Sequence, residues 1–125
     1  MKRSVNVLVV DDDESIRLGC AQVLEAEGYR VSTAADGPSG LEMTSRESFD
    51  LVLLDLKLPG LGGMKLLERI RQDNPNTLVI VITGYANIET AVAAMRRGAV
   101  DFLPKPFSSE TLVTLAERAL DRRRL

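Results

Sequence analysis

The chain has no histidine, one cysteine in 125 residues and no excess of basic charge. Without histidine, zinc is disfavoured as a bound metal. Cys20 cannot form an internal disulfide; it lies in an apolar helical pattern and is expected in the core, which suits a reducing cytoplasm. The opening MKRSVNVLVV is too short in its apolar part for an export signal. No run approaches the roughly 20 apolar residues that would cross a bilayer. Neither export nor membrane insertion is expected. Sixteen basic residues against 18 acidic ones leave a net charge of -2, so the domain offers a nucleic-acid backbone no general attraction. Any DNA binding is expected from another domain.

What is present is enough apolar sequence for a core, 45%, beside 27% charged residues, a balance that argues against disorder and for one domain. Five short runs rich in Val, Ile and Leu recur: VNVLVV (5–10), RVSTAA (30–35), DLVLLD (50–55), TLVIVI (77–82) and VDFLP (100–104). The first, third and fourth are nearly continuous in apolar residues, as strands of a parallel sheet covered on both faces require. Between them the spacing predicts helices. Ile16, Cys20, Val23 and Leu24 mark the first, which ends near Glu27 before Gly28. The second runs from about Pro38 to Glu47 with Leu41 inward. Met64, Leu67 and Ile70 mark the third; Ile88, Ala91, Val92 and Met95 mark the fourth, closing at Gly98, with Met95 read as core. The fifth starts after Ser108 or Ser109 as N-cap, and Leu112, Leu115, Ala116, Ala119 and Leu120 form its apolar stripe. Five strand–helix units predict a doubly wound α/β sandwich of three layers with a five-stranded parallel sheet.

In such sheets ligands bind beyond the carboxyl ends of the strands. Those ends carry Asp11, Asp12 and Asp13, then Asp55, Thr83 and Lys105. Crowded carboxylates repel one another unless a cation joins them, and oxygen donors alone suit Mg²⁺. One carboxylate beside such a metal can act as nucleophile in phosphoryl transfer, and Asp55 is the candidate. Asp12 with Mg²⁺, Lys105 and Thr83 supply the metal, fixed cation and hydrogen-bond donor that a transferring phosphoryl group needs. Asp13 is better placed to cap the first helix.

Four motifs, VLVVDDDES, DLVLLDLKLPGLGG, VIVITGYA and DFLPKPF, resemble in order and spacing the receiver domains of two-component response regulators, across essentially the whole chain. The resemblance implies the (βα)5 flavodoxin-like fold over residues 1–125, with residues from about 120 to 125 as the start of a linker to an output domain. It implies Asp55 as phosphoacceptor, and Mg²⁺ held by Asp11 (largely through water), Asp12, Asp55 and the backbone carbonyl of Lys57. A cis Lys105–Pro106 bond matches it. Thr83 and Phe102 match the family's switch pair, which alters the face built from the fourth helix, fifth strand and fifth helix, including residues 84–98. The implied phosphodonor is a sensor histidine kinase, and the implied output is an attached domain or downstream protein controlling transcription, with a homodimer left open. Catalysis is confined to the chain's own phosphorylation and dephosphorylation. TGYANIETAVAAMRRGAVDFLPKPF is most similar to receivers of nitrogen-regulation-type transcriptional activators. Gly62 departs from the family, which often has an acid there. Lys57 and Tyr85 flank the site and are candidates for tuning phosphate lifetime.

Each residue also has an ordinary explanation when taken alone. Acids after a strand are commonly turn residues or caps, Lys105 a solvated lysine, Phe102 part of the core, and Arg122 to Arg124 a helix end favoured by its dipole. A haloacid-dehalogenase-type phosphatase also uses a strand-end Asp with Mg²⁺, but wants an acid two residues later, where Lys57 stands. A flavodoxin-like cofactor binder needs a phosphate-cradling loop after the first strand, where DDDES would repel phosphate. A phosphorylation-independent docking receiver is at odds with the retention of Asp12, Asp55, Thr83 and Lys105.

Overall fold

The computed structural model describes residues 4–84 and 87–123; Tyr85 and Arg124, singled out above, lie outside the described residues. Five strands, β1 (Asn6–Val10), β2 (Arg30–Ala34), β3 (Leu51–Asp55), β4 (Leu78–Thr83) and β5 (Asp101–Pro104), form one sheet in the order β2-β1-β3-β4-β5. Every neighbouring pair is parallel. The helices are α1 (Glu14–Ala26), α2 (Gly37–Arg46), α3 (Gly63–Asp73), α4 (Ile88–Arg96) and α5 (Ser109–Arg123).

The continuous apolar runs arise because successive side chains on a strand point to opposite faces, and here both faces are covered. Leu8, Val10, Val52, Leu54, Val79 and Val81 pack with Leu66, Leu67 and Ile70 of α3 and Ala94 of α4. Val7, Val9, Leu51, Leu53, Ile80 and Ile82 pack with Cys20 and Leu24 of α1 and with Leu112, Ala116 and Ala119 of α5. The expected three layers follow. Leu41 of α2 packs inward, as its spacing requires.

Helix ends are set by short polar side chains and by glycine. Asp13 caps α1, accepting from the Ser15 and Ile16 amides at 2.9 and 3.3 Å. Asp36 caps α2 through the Ser39 amide at 2.7 Å, and Asn87 caps α4 through the Thr90 amide at 2.8 Å. Of the two serines proposed to open α5, Ser108 does so, its Oγ accepting from the Thr111 amide at 3.1 Å. Gly28 and Gly98 follow α1 and α4 with φ of 94° and 108°, left-handed angles that cost glycine no steric clash.

The stripe that marks α4 faces the opposite way from that expected. Ile88, Val92 and Met95 are 83%, 43% and 45% exposed, so Met95 is not core. The buried residue of α4 is Ala94, followed by the buried Ala99. Small alanines let the helix lie close to the sheet, which leaves the larger apolar residues outside.

The chain passes from β1 outward to β2, then back across β1 to β3. At the carboxyl ends of β1 and β3 the connections therefore diverge, leaving the crevice in which doubly wound sheets bind ligands.

Candidate functional site

That crevice is lined with acid. Asp11 and Asp12 follow the last residue of β1, and Asp55 is the last residue of β3. One carboxylate oxygen from each lies within 4.8 Å of the others. Asp11 is fully buried and Asp55 nearly so, whereas Asp12 is exposed, so the cluster has two inner walls and one side open to solvent.

Asp11 is fixed on every side. Its amide donates to the Ala34 carbonyl at 3.1 Å, its carbonyl accepts from the Arg17 guanidinium at 2.8 Å, and its Oδ1 accepts from the Asp13 amide at 2.9 Å. Oδ2 has Lys105 Nζ at 2.7 Å but no well-aligned hydrogen bond. Asp55 accepts from the Lys57 amide on Oδ1 at 3.1 Å and from Lys105 Nζ on Oδ2 at 2.8 Å. Lys105 thus bridges the two buried carboxylates from the end of β5.

Burial pushes the Asp11 carboxyl above its ordinary range, and the Lys105 ammonium only partly offsets this. For Lys105 the balance is reversed: burial lowers its affinity for a proton, but its contacts to Asp11 and Asp55 outweigh that and hold it above the usual lysine range. The ammonium is therefore charged at neutral pH, one cation facing three carboxyl groups. An all-oxygen donor set, an excess of acid over base and a buried carboxylate oxygen without an aligned donor fit a hard divalent cation.

Thr83 ends β4 and is fully buried, and its carbonyl accepts from the Lys105 amide at 2.9 Å. The Lys105–Pro106 bond is cis. Phe102 lies opposite Val81 in the β4–β5 register and is half-buried against the α3 and α4 side of the core. Lys57 is exposed on the loop after β3. The strand-end residues thus lie at one rim, with Asp13 turned away to its capping task. Arg17 was not among the candidates: in sequence it is one more charged residue on a helix, and nothing in the pattern points its guanidinium at the Asp11 carbonyl.

Comparison with known proteins agrees with this geometry. The family described as response regulator receiver domain matches residues 7–117. The chain is 43% identical over 122 residues to the nitrogen assimilation regulatory protein NtrX of Azorhizobium caulinodans, covering 96% of this chain and 27% of that protein. It is 39% identical over 120 residues to the DNA-binding transcriptional regulator NtrC of Escherichia coli K12, covering 96% and 25%. It superimposes on the crystal structure of a CheY-like response regulator receiver domain protein from Methanospirillum hungatei JF-1 with a TM-score of 0.94, at 36% identity over 98% of each chain. The chain spans about a quarter of the length of the two curated relatives. An acid-lined crevice at the switch point of a β2-β1-β3-β4-β5 sheet, closed by the lysine that follows β5, is accounted for by that match: the chain belongs to the response regulator receiver domain family.

Proposed function

We propose that Asp55 accepts a phosphoryl group from the phosphohistidine of a sensor kinase, and that the aspartyl phosphate switches an output that controls transcription. The observation that carries this reading is the convergence of Asp11, Asp12 and Asp55 within 4.8 Å, with Lys105 Nζ 2.8 Å from Asp55. Asp11, Asp12, Asp55 and the carbonyl of Lys57 would hold Mg²⁺. When bound, Mg²⁺ supplies positive charge to the phosphoryl oxygens and relieves repulsion among the acids.

The chain's own residues do the rest. An Asp55 carboxylate oxygen attacks phosphorus in line; the new O–P bond forms as the P–N bond to the donor imidazole breaks, and the imidazole leaves with the bonding pair. Lys105 keeps the nucleophile oriented beforehand and neutralises charge on the transferring group, and the Thr83 hydroxyl donates to one of its oxygens. Phosphorylation adds a charge of about -1.5 to -2. The Thr83 hydroxyl is drawn toward it, and Phe102 moves into the space beside β4. The response reaches α4, β5 and α5, where exposed Ile88, Val92 and Met95 offer apolar surface to an output domain, a downstream protein or a second copy of the chain.

The name of the NtrC relative, a DNA-binding transcriptional regulator, supports transcription as the output. Residues 1–125 then act as one receiver, with about 120–125 leading into a linker, in the cytoplasm where a kinase would meet it. Turnover is limited to the chain's own phosphorylation and dephosphorylation. No helix among the described residues is long and apolar enough to cross a membrane.

The test is incubation with acetyl phosphate and Mg²⁺, read by intact mass. One phosphoryl group per chain is expected, and none on Asp55→Asn, whose amide is not a competent nucleophile. Stoichiometric labelling of that variant would overturn the assignment. Release of many equivalents of phosphate per chain from a small phosphomonoester would favour a phosphatase instead.

A further inference from the structure

Three glycines near the site differ in what they require. Gly60 has φ of 80°, an angle few side chains tolerate. Gly37 and Gly63 have no positive φ, so conformation alone does not demand glycine at either. Space does. A Cβ on Gly63 would overlap the Asp55 carbonyl oxygen and the Leu56 Cα, and its amide donates to the Leu56 carbonyl at 3.0 Å. A Cβ on Gly37, at the start of α2, would overlap the Leu61 carbonyl oxygen and come within 2.8 Å of the Leu61 Cβ. The Gly37 amide donates to the Pro59 carbonyl at 3.3 Å. Pro38 completes the contact: its Cδ lies 2.9 Å from where a Cβ on Gly60 would stand. The segment from Lys57 to Leu61 is therefore held between its own backbone at Gly63 and the first turn of α2.

We propose that Gly37, together with Pro38, is a positioning residue for the phosphorylation site: α2 sets the path of the Lys57–Leu61 segment and hence the aim of the Lys57 carbonyl. This rests on the reading of that carbonyl as a ligand of Mg²⁺. The contact is backbone to backbone, so it cannot be relieved by rotating a side chain. A methyl group at position 37 moves the segment while leaving the acids and Lys105 unchanged. No residue of α2 touches the acid cluster in this scheme; the effect travels through the loop.

The experiment is a calorimetric Mg²⁺ titration of the whole chain, with urea unfolding run in parallel. Gly37→Ala is expected to weaken Mg²⁺ affinity about ten-fold or more, the size of effect that outer supports of metal ligands have. Gly98→Ala is the control: its φ of 108° makes alanine strained, but it stands before β5, at the opposite end of the sheet from the acids. It should lose stability and keep the parent affinity, separating aim from general weakening. If Gly37→Ala does not fold, Pro38→Ala, at an exposed position, takes its place. It is expected to weaken Mg²⁺ binding by a smaller factor and to shift the amide resonances of Lys57, Leu58, Gly60 and Leu61, which Gly98→Ala leaves in place. Parent-like affinity in folded Gly37→Ala, or in Pro38→Ala with those resonances unmoved, would overturn the proposal. A parent chain that binds no Mg²⁺ would sink the metal reading itself, a separate result.

Discussion

Asp11, Asp12 and Asp13 are consecutive, yet the chain leaves β1 at Val10 and enters α1 at Glu14, so the three side chains leave a turning backbone in different surroundings. Asp11 is buried, Asp12 opens to solvent and Asp13 caps the helix. Their substitutions should separate accordingly. Asp13→Ala is expected to lower unfolding free energy by about 1 kcal/mol, the usual loss for an N-cap, with the Mg²⁺ response unchanged. Asp12→Ala should weaken the Mg²⁺ response and leave stability in chelator almost unaltered; urea titrations with Mg²⁺ and with EDTA distinguish the two. Cys20 offers a further residue-scale check. It is 3% exposed, and burial, with Asp11 adding to it, pushes its thiol up to about 11. At pH 8 alkylation of the native chain should be far slower than alkylation in denaturant, and equal rates would contradict the packing around α1.

At the scale of elements, the strands were legible because a two-sided sheet leaves an unbroken apolar record: β1, β3 and β4 are buried almost throughout. The acid cluster of the candidate site was legible for a related reason, since Asp11 and Asp12 follow directly on one such record and Asp55 ends another. Helix α4 was legible in position but not in orientation, because alanine carries little periodic signal and the sheet accepted Ala94 in preference to Met95. Met95→Ala should therefore change stability by no more than about 0.5 kcal/mol, against about 2–5 kcal/mol for Ile70→Ala in the buried face of α3. Gly37 and Arg17 stayed hidden because their contacts join segments that only the folded chain brings together. Asp36 supplies a pH signature for α2. Its bonds to Ser39 hold the carboxyl below the ordinary range. A depressed carboxyl stabilises the fold above its unfolded value, 3.8, and that contribution is lost as pH falls through the folded value. Asp36→Ala should remove this part of the acid limb of a stability–pH curve, and an unchanged limb would contradict the cap.

At the scale of the molecule, two buried carboxylates share a single bridging ammonium, and a third, exposed carboxylate stands beside them. The fold holds these groups together against their repulsion through the sheet and two packed faces. A cation that binds the folded chain and not the unfolded one must then stabilise it, by about 2.7 kcal/mol at a hundred times its dissociation constant. On the proposed function the same linkage would make the switch a shift of population, with phosphate biasing the α4, β5 and α5 face only by the difference in its interactions with two arrangements. The most direct measurement is Mg²⁺ binding by titration calorimetry on the parent chain, Asp12→Ala and Asp55→Asn. The account predicts one Mg²⁺ per parent chain and clearly weakened binding in both variants; no binding by the parent, or undiminished binding when either acid is replaced, would contradict it.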